Sequence, residues 1–275
     1  MKAARLILFP HEGENLPVVL LDGLKIGEVS VAGQRGRTPF ITFHGTFYET
    51  APLHGARLVS ASGVFPLGER LFGLFELAEL VFEPSWRNRL QKYYAVLEEE
   101  GRAFWGAINQ VFIGWSAENA QAVQVGISIL ALPEPCPSIE PPKNAPRKAA
   151  MFETFRKEKE STIVVGGKEE RFVVSGVDFS VSVSSLVVPT NKRVYLYTFS
   201  VEPMMVRFSG FASLDVVSRI ERAFVEERAE TFKVRLGKTA ITAHYVGLNA
   251  SRSAALKKLC PLSVEGMLEE IKKEG

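Results

Sequence analysis

Apolar and polar positions along the chain fall into short runs of β-branched and aromatic residues, separated by Gly, Pro and polar turn residues. In the first half, Phe40–Phe47, Ala56–Phe65, Arg70–Phe82, Gln110–Trp115 and Val123–Leu130 have this character. In the second half it recurs in Thr162–Val165, Arg171–Val174, Phe179–Val188, Arg193–Val201, Met204–Phe211, Thr231–Leu236 and Ala240–Leu248. Runs of this length and composition, bounded by turn residues, predict β-strands. Phe179–Val183 alternates apolar residues with Ser, the pattern of a strand with one buried face. Met1–Phe9 leads into Pro10-His11-Glu12 and not into a small-residue cleavage site, so it predicts a first strand instead of a signal peptide.

Helical spacing is rarer. Ser85 is placed to cap a helix carrying Trp86, Leu90, Tyr93, Tyr94 and Leu97 on one face. Ser213 is placed to cap a second, with Leu214, Val217, Ile220, Ala223 and Phe224 on one face. Two short helices are expected near Arg252–Leu259 and Ser263–Lys273. The first helix and its surroundings carry Trp86, Tyr93, Tyr94, Phe104 and Trp105. That aromatic load fits either a plug for one barrel end or a surface for a protein partner or a second copy of the chain.

Pro133, Pro135, Pro137, Pro141, Pro142 and Pro146 crowd one segment, which favours an extended spacer over helix or sheet. The expected organisation is an N-terminal domain over 1–132, a Pro-rich linker over 133–150 and a C-terminal domain over 151–275. The fold class is mainly β: two small antiparallel β-barrel-like domains, each with one inserted helix, plus short C-terminal helices. An ungapped match sets Leu58–Pro66 over Val181–Pro189 and continues with Glu69–Phe72 over Lys192–Tyr195, as an internal duplication would.

Composition narrows the function classes. The 275 residues are 46% hydrophobic, as in a globular protein, and 33 Lys+Arg against 31 Asp+Glu give a net charge of +2. This excludes a strongly basic nucleic-acid coat and an acidic tail protein. No apolar run is long enough for a membrane-spanning helix. Cys136 and Cys260 form no spaced cluster and suit a reducing, cytoplasmic setting.

Leu58-Val59-Ser60-Ala61-Ser62-Gly63-Val64-Phe65, followed by Leu67-Gly68-Glu69-Arg70-Leu71, resembles the core signature of PilZ domains, [D/N]-x-S-x-x-G followed by strand, turn and strand. Gln110–Trp115 and Val125–Ile129 are similar to that family's last two strands, and Tyr245-Val246-Gly247-Leu248 echoes them in the second half. The resemblance implies six-stranded barrels and a non-enzymatic receptor for cyclic di-GMP. In that family, arginines in R-x-x-x-R grip the phosphates and the Asp/Asn and Ser meet a guanine edge. Guanidinium forks suit both tasks, pairing with phosphate oxygens and stacking on bases.

Both halves depart from the pattern. In the first, Leu58 replaces the Asp or Asn while Ser60 and Gly63 match, and Arg35 and Arg37 are spaced R-x-R. In the second, Asp178-Phe179-Ser180 keeps D-x-S, Val183 replaces the Gly, and Glu160 follows Arg156 at the second arginine's place. The same motif would set Leu58 against Asp178, three residues from the ungapped match. The candidate cyclic di-GMP residues are Arg35, Arg37, Ser60, Gly63, Asp178 and Ser180, with weakened, altered or lost binding expected. Each has a structural alternative: Ser60 and Gly63 as ordinary strand residues, Arg35 and Arg37 in a solvated glycine-containing turn, Asp178 as a turn cap.

Other motifs carry less. Gly237-Lys238-Thr239 resembles the end of a phosphate-binding loop but lacks its upstream Gly, so a hairpin turn is expected. His11, His44, His54 and His244 are scattered without carboxylate or Cys partners at ligand spacing, so no metal or other cofactor is expected. Glu98-Glu99-Glu100 reads as a solvated helix face. No catalytic constellation is visible, and a non-enzymatic adaptor or binding protein is the favoured class. The alternatives are a structural or assembly subunit built from tandem β domains and an RNA- or DNA-binding β protein, the latter needing a basic stripe with exposed aromatics.

Overall fold

The computed structural model describes residues 2–16, 18–33, 37–42, 45–50, 57–66, 90–99, 101–116, 122–133, 135–138, 161–189, 194–237, 239–251 and 259–273. The described chain is mainly β, with antiparallel pairing between its strands.

The first half contributes β1 (Lys2–Pro10), β2 (Val19–Gly33), β3 (Arg37–Thr42), β4 (Gly45–Thr50), β5 (Arg57–Pro66), β6 (Tyr93–Glu99), β7 (Arg102–Ser116) and β8 (Ala122–Ala131). β1 pairs with β2, β2 with β5, β5 with β8, β8 with β7, β7 with β6, and β6 with β1. The pairings therefore return to their starting strand and form a ring of six. β3 and β4 form a separate two-stranded sheet.

The second half contributes β9 (Ser161–Val165), β10 (Lys168–Arg171), β11 (Val173–Pro189), β12 (Val194–Val201), β13 (Met205–Ala212), the helix α1 (Leu214–Val225), β14 (Thr231–Leu236), β15 (Thr239–Ala250) and β16 (Cys260–Lys273). β10 passes through Phe172 into β11, and Phe172 N–H donates to the Ser161 carbonyl at 3.3 Å. β12 and β13 both lie antiparallel to β11, along Val183–Pro189 and Val173–Ser180 respectively. Taking β10–β11 and β12–β13 each as one interrupted strand, the circuit runs β9, β10–β11, β12–β13, β16, β15, β14 and back to β9.

Both circuits have one order, first-second-third-sixth-fifth-fourth in chain sequence. In both, the fourth and fifth strands form a hairpin closed by Glu99 opposite Arg102 and by Leu236 opposite Thr239. The fifth strand carries its extra residue at the same place. Asn109 and Val246 each stand seven residues beyond the strand's first residue.

This geometry corrects the repeat register. Leu58–Pro66 lies in β5, a third strand, whereas Val181–Pro189 lies in β11, a second strand. Neither the ungapped match nor the motif register aligns equivalent strands, because alternating Ser and Val produce similarity in any half-buried strand.

Two helix expectations are also corrected. Tyr93–Glu99 is β6 and not the end of a helix from Ser85, with a single 3-10 turn at Leu90–Lys92 before it; residues 67–89 lie outside the described residues. Tyr93, Ala95 and Leu97 enter the core while Val96 is buried on the opposite face. A strand apolar on both faces offers apolar positions at helical spacing as well. Ser263–Lys273 belongs to β16, whose Cys260, Leu262, Val264 and Gly266 alternate inward between β13 and β15. Glu98 and Glu99 accordingly lie on β6 and not on a helix face, and Arg5 pairs with Glu98 at 3.4 Å. The expected helix at Arg252–Leu259 falls mostly outside the described residues.

α1 forms as its pattern predicts. The Val216 N–H donates to Ser213 Oγ at 3.4 Å, and Val216, Val217, Ile220, Ala223 and Phe224 are buried. Phe224 stacks on Tyr245 at 3.8 Å and meets Phe232 edge-on at 6.1 Å. Gly237, at φ +57°, turns the β14–β15 hairpin.

The circuits are joined by strand pairing. Gly176–Ser182 of β11 pairs with Gln110–Ser116 of β7. One contiguous apolar cluster runs through residues of both halves, from Leu6 and Leu8 through Ile113, Val181 and Phe208 to Val264.

Candidate functional site

The β7–β11 pairing gives the two halves a common outer face. On β7, the extra residue Asn109 shifts the strand's phase, so Ile108 points inward before it and Val111, Ile113 and Trp115 point inward after it. Gln110, Phe112, Gly114 and Ser116 thus share the opposite phase. Ser60 pairs with Ser128, Ser128 with Gln110, and Gln110 with Ser182, so these four share that face. Asp178 and Ser180 share the phase of Ser182 on β11.

A shallow cavity of about 300 Å³ opens on this face, lined by Ser60, Ala61, Gln110, Phe112, Gly126, Ile127 and Ser128. Gly126 keeps its floor low. A Cβ there would meet Phe112 and the Ala61 carbonyl at 3.5–3.8 Å, ordinary contact, so the space is open without being required by packing. Ser128 is only 8% exposed, and its Oγ accepts from Asn109 Nδ2 at 3.0 Å.

Beyond Phe112, the Asp178 carboxylate lies over Gly114, in register with Arg207 on β13, which in turn pairs with Glu265 on β16. Arg207 Nη2 is 3.2 Å from Glu265 Oε2. Burial pushes the Asp178 carboxyl above its ordinary range, and the Arg207 charge opposes that rise. One guanidinium thus sits between two carboxylates.

The six sequence-predicted residues distribute unevenly. Ser60, Asp178 and Ser180 come onto one face although they belong to different halves; Ser60 and Asp178 are three strands apart and four residues offset along them, roughly 20 Å. Gly63 lies in phase with the buried Val59 and Ala61, opposite Val125, and so on the inner side of β5. Arg37 opens β3 opposite Thr50, in the separate hairpin. Arg35 lies outside the described residues, as do Arg156, Glu160, His44 and His54. The sequence does not mark Gln110, Phe112, Gly114, Gly126 or Ser128 as site residues. Their only sequence signal is period-two spacing, which the extra residue Asn109 interrupts.

Among the described residues no group of three His, Cys, Asp or Glu could hold a metal ion, and no helix is long and apolar enough to cross a membrane. Compared with models of known protein families and with curated proteins, the chain matches none.

Proposed function

We propose that the chain is a non-enzymatic, PilZ-like binding or adaptor protein that acts through a protein partner and whose recognition of cyclic di-GMP is altered or lost. The observation that carries this reading is the recurrence of one six-strand circuit in both halves, with Asp178-x-Ser180 outward on a second strand. The equivalent strand of the first circuit, β2, contains Glu28-Val29-Ser30-Val31-Ala32-Gly33, which has Ser and Gly at the motif's spacing and Glu in the acidic place. Ser30 is in register with Ser60.

The reading of altered affinity rests on charge. Phosphates need uncommitted cations, whereas Arg207 is shared by Glu265 and Asp178. The two free thiols suit a cytoplasmic protein. Calorimetric titration with cyclic di-GMP tests the reading. Weak binding lost in Asp178→Ala or in Arg35→Ala/Arg37→Ala identifies an altered receptor. No heat up to about 1 mM, weaker than about −4 kcal/mol, removes the nucleotide and leaves the adaptor role to be tested by partner capture.

The alternative, an assembly subunit, is favoured by one surface. Val173 and Phe211 face each other across β11 and β13, both exposed, with Leu214 also exposed at the start of α1. Concentration-dependent self-association abolished by Phe211→Glu supports that alternative.

A further inference from the structure

The groove beside Phe112 has hydrogen-bonding groups that the fold leaves unused. The Ser128 oxygen accepts from Asn109, and its own hydroxyl proton has no acceptor among the described residues. The Ser60 hydroxyl, the Gln110 amide and the half-buried Asp178 carboxylate likewise have no hydrogen-bond partner among the described residues. Ser128 is buried, Ser60 and Asp178 are half-buried and Gln110 is exposed, so these groups are hydrated in the free protein and open to a ligand in the groove.

The lining selects the ligand's chemistry. It contains hydroxyls, an amide and an aromatic ring, and none of its seven residues is charged. At its Asp178 end the neighbouring charges are two carboxylates and one arginine, which disfavours a phosphate. A peptide could not add as a strand, because β5, β8, β7 and β11 are already paired on both edges over this stretch. What fits is a neutral molecule with many hydroxyls and an apolar C–H face. The C–H face packs on the electron-rich ring of Phe112. Its hydroxyls donate to Asp178 and the Gln110 carbonyl and accept from Ser60, Ser128 and the Gln110 amide.

We propose that the outer groove formed by Ser60, Gln110, Phe112 and Ser128, continued to Asp178, binds a neutral oligosaccharide. The span of roughly 20 Å from Ser60 to Asp178, three strand spacings across and four residues along, favours a chain of sugar units over a single one. This inference does not depend on the nucleotide reading, because the titrants differ.

The test is calorimetric titration of the full chain with cellopentaose, maltopentaose and chitopentaose in turn. At least one is expected to bind with Kd below about 1 mM. Gly126→Val fills the groove floor and should weaken that binding by at least about tenfold, as should Gln110→Ala, which removes an exposed side chain. Unchanged thermal midpoints in both variants show that the fold is intact. No binding by any of the three sugars overturns the proposal, and so does binding that both correctly folded variants retain in full.

Discussion

At Gly114 an added Cβ would stand 2.5 Å from Asp178 Oδ1 and 2.8 Å from the Phe112 ring, so neither side chain could keep its place. Gly114→Val is therefore expected to destabilise the fold by about 1–3 kcal/mol, read from the urea midpoint, whereas Gly126→Val, with ordinary contacts around its Cβ, should change it far less. His11 gives the clearest pH response. Its ring lies 4.0 Å from that of Tyr94, and its Nε2 is buried with no hydrogen-bond partner among the described residues. Burial lowers its pKa from 6.5, against a backbone hydrogen bond with Tyr93 and the Glu14 charge. The unfolded chain therefore takes up the proton first. Above pH 6.5 the residue is neutral in both states; below it stability falls until the folded state also protonates. Urea midpoints at neutral pH and below 6.5 should show this loss, and His11→Phe should reduce it. An unchanged slope in that variant counts against the assignment.

Among the elements, α1 is where local sequence and structure agree most closely. A polar cap at Ser213 and a buried face from Val216 to Phe224 both follow from the 3.6-residue period. Ser213→Ala should cost about 1 kcal/mol, measured by chemical denaturation, and a loss several times larger would point to a role beyond capping. β6 and β16 show the opposite case. Val96 is buried by the tertiary structure on the face opposite Tyr93, Ala95 and Leu97, and no local pattern announces that cover. In β16, Glu269, Glu270, Lys272 and Lys273 imitate a charged helix end. The inward alternation of Cys260 to Gly266 gains its meaning only between β13 and β15.

For the whole molecule, the β7–β11 ladder makes one sheet of what the proline-rich segment suggests are two bodies. The apolar cluster is likewise continuous through both halves. Scanning calorimetry is expected to show one cooperative transition with matching calorimetric and van't Hoff enthalpies. Two resolved transitions would mean that the ladder does not couple the halves. For the proposed oligosaccharide groove, Ser60 and Asp178 share one face only while β7 and β11 remain paired.

Sequence by itself determined the strand-rich character, most second-half strands, the α1 cap and face, and the Gly237 turn. These are set by period, propensity and turn chemistry within a few residues. It also drew attention to Ser60, Asp178 and Ser180 through their motif residues. Tertiary structure alone decided the strand order, the repeat register, the inward turn of Gly63 and the placing of Ser60 and Asp178 on one face. Those depend on which strands pair and on single extra residues such as Asn109. One shifted residue exchanges the faces of every position beyond it, and nothing local records the shift.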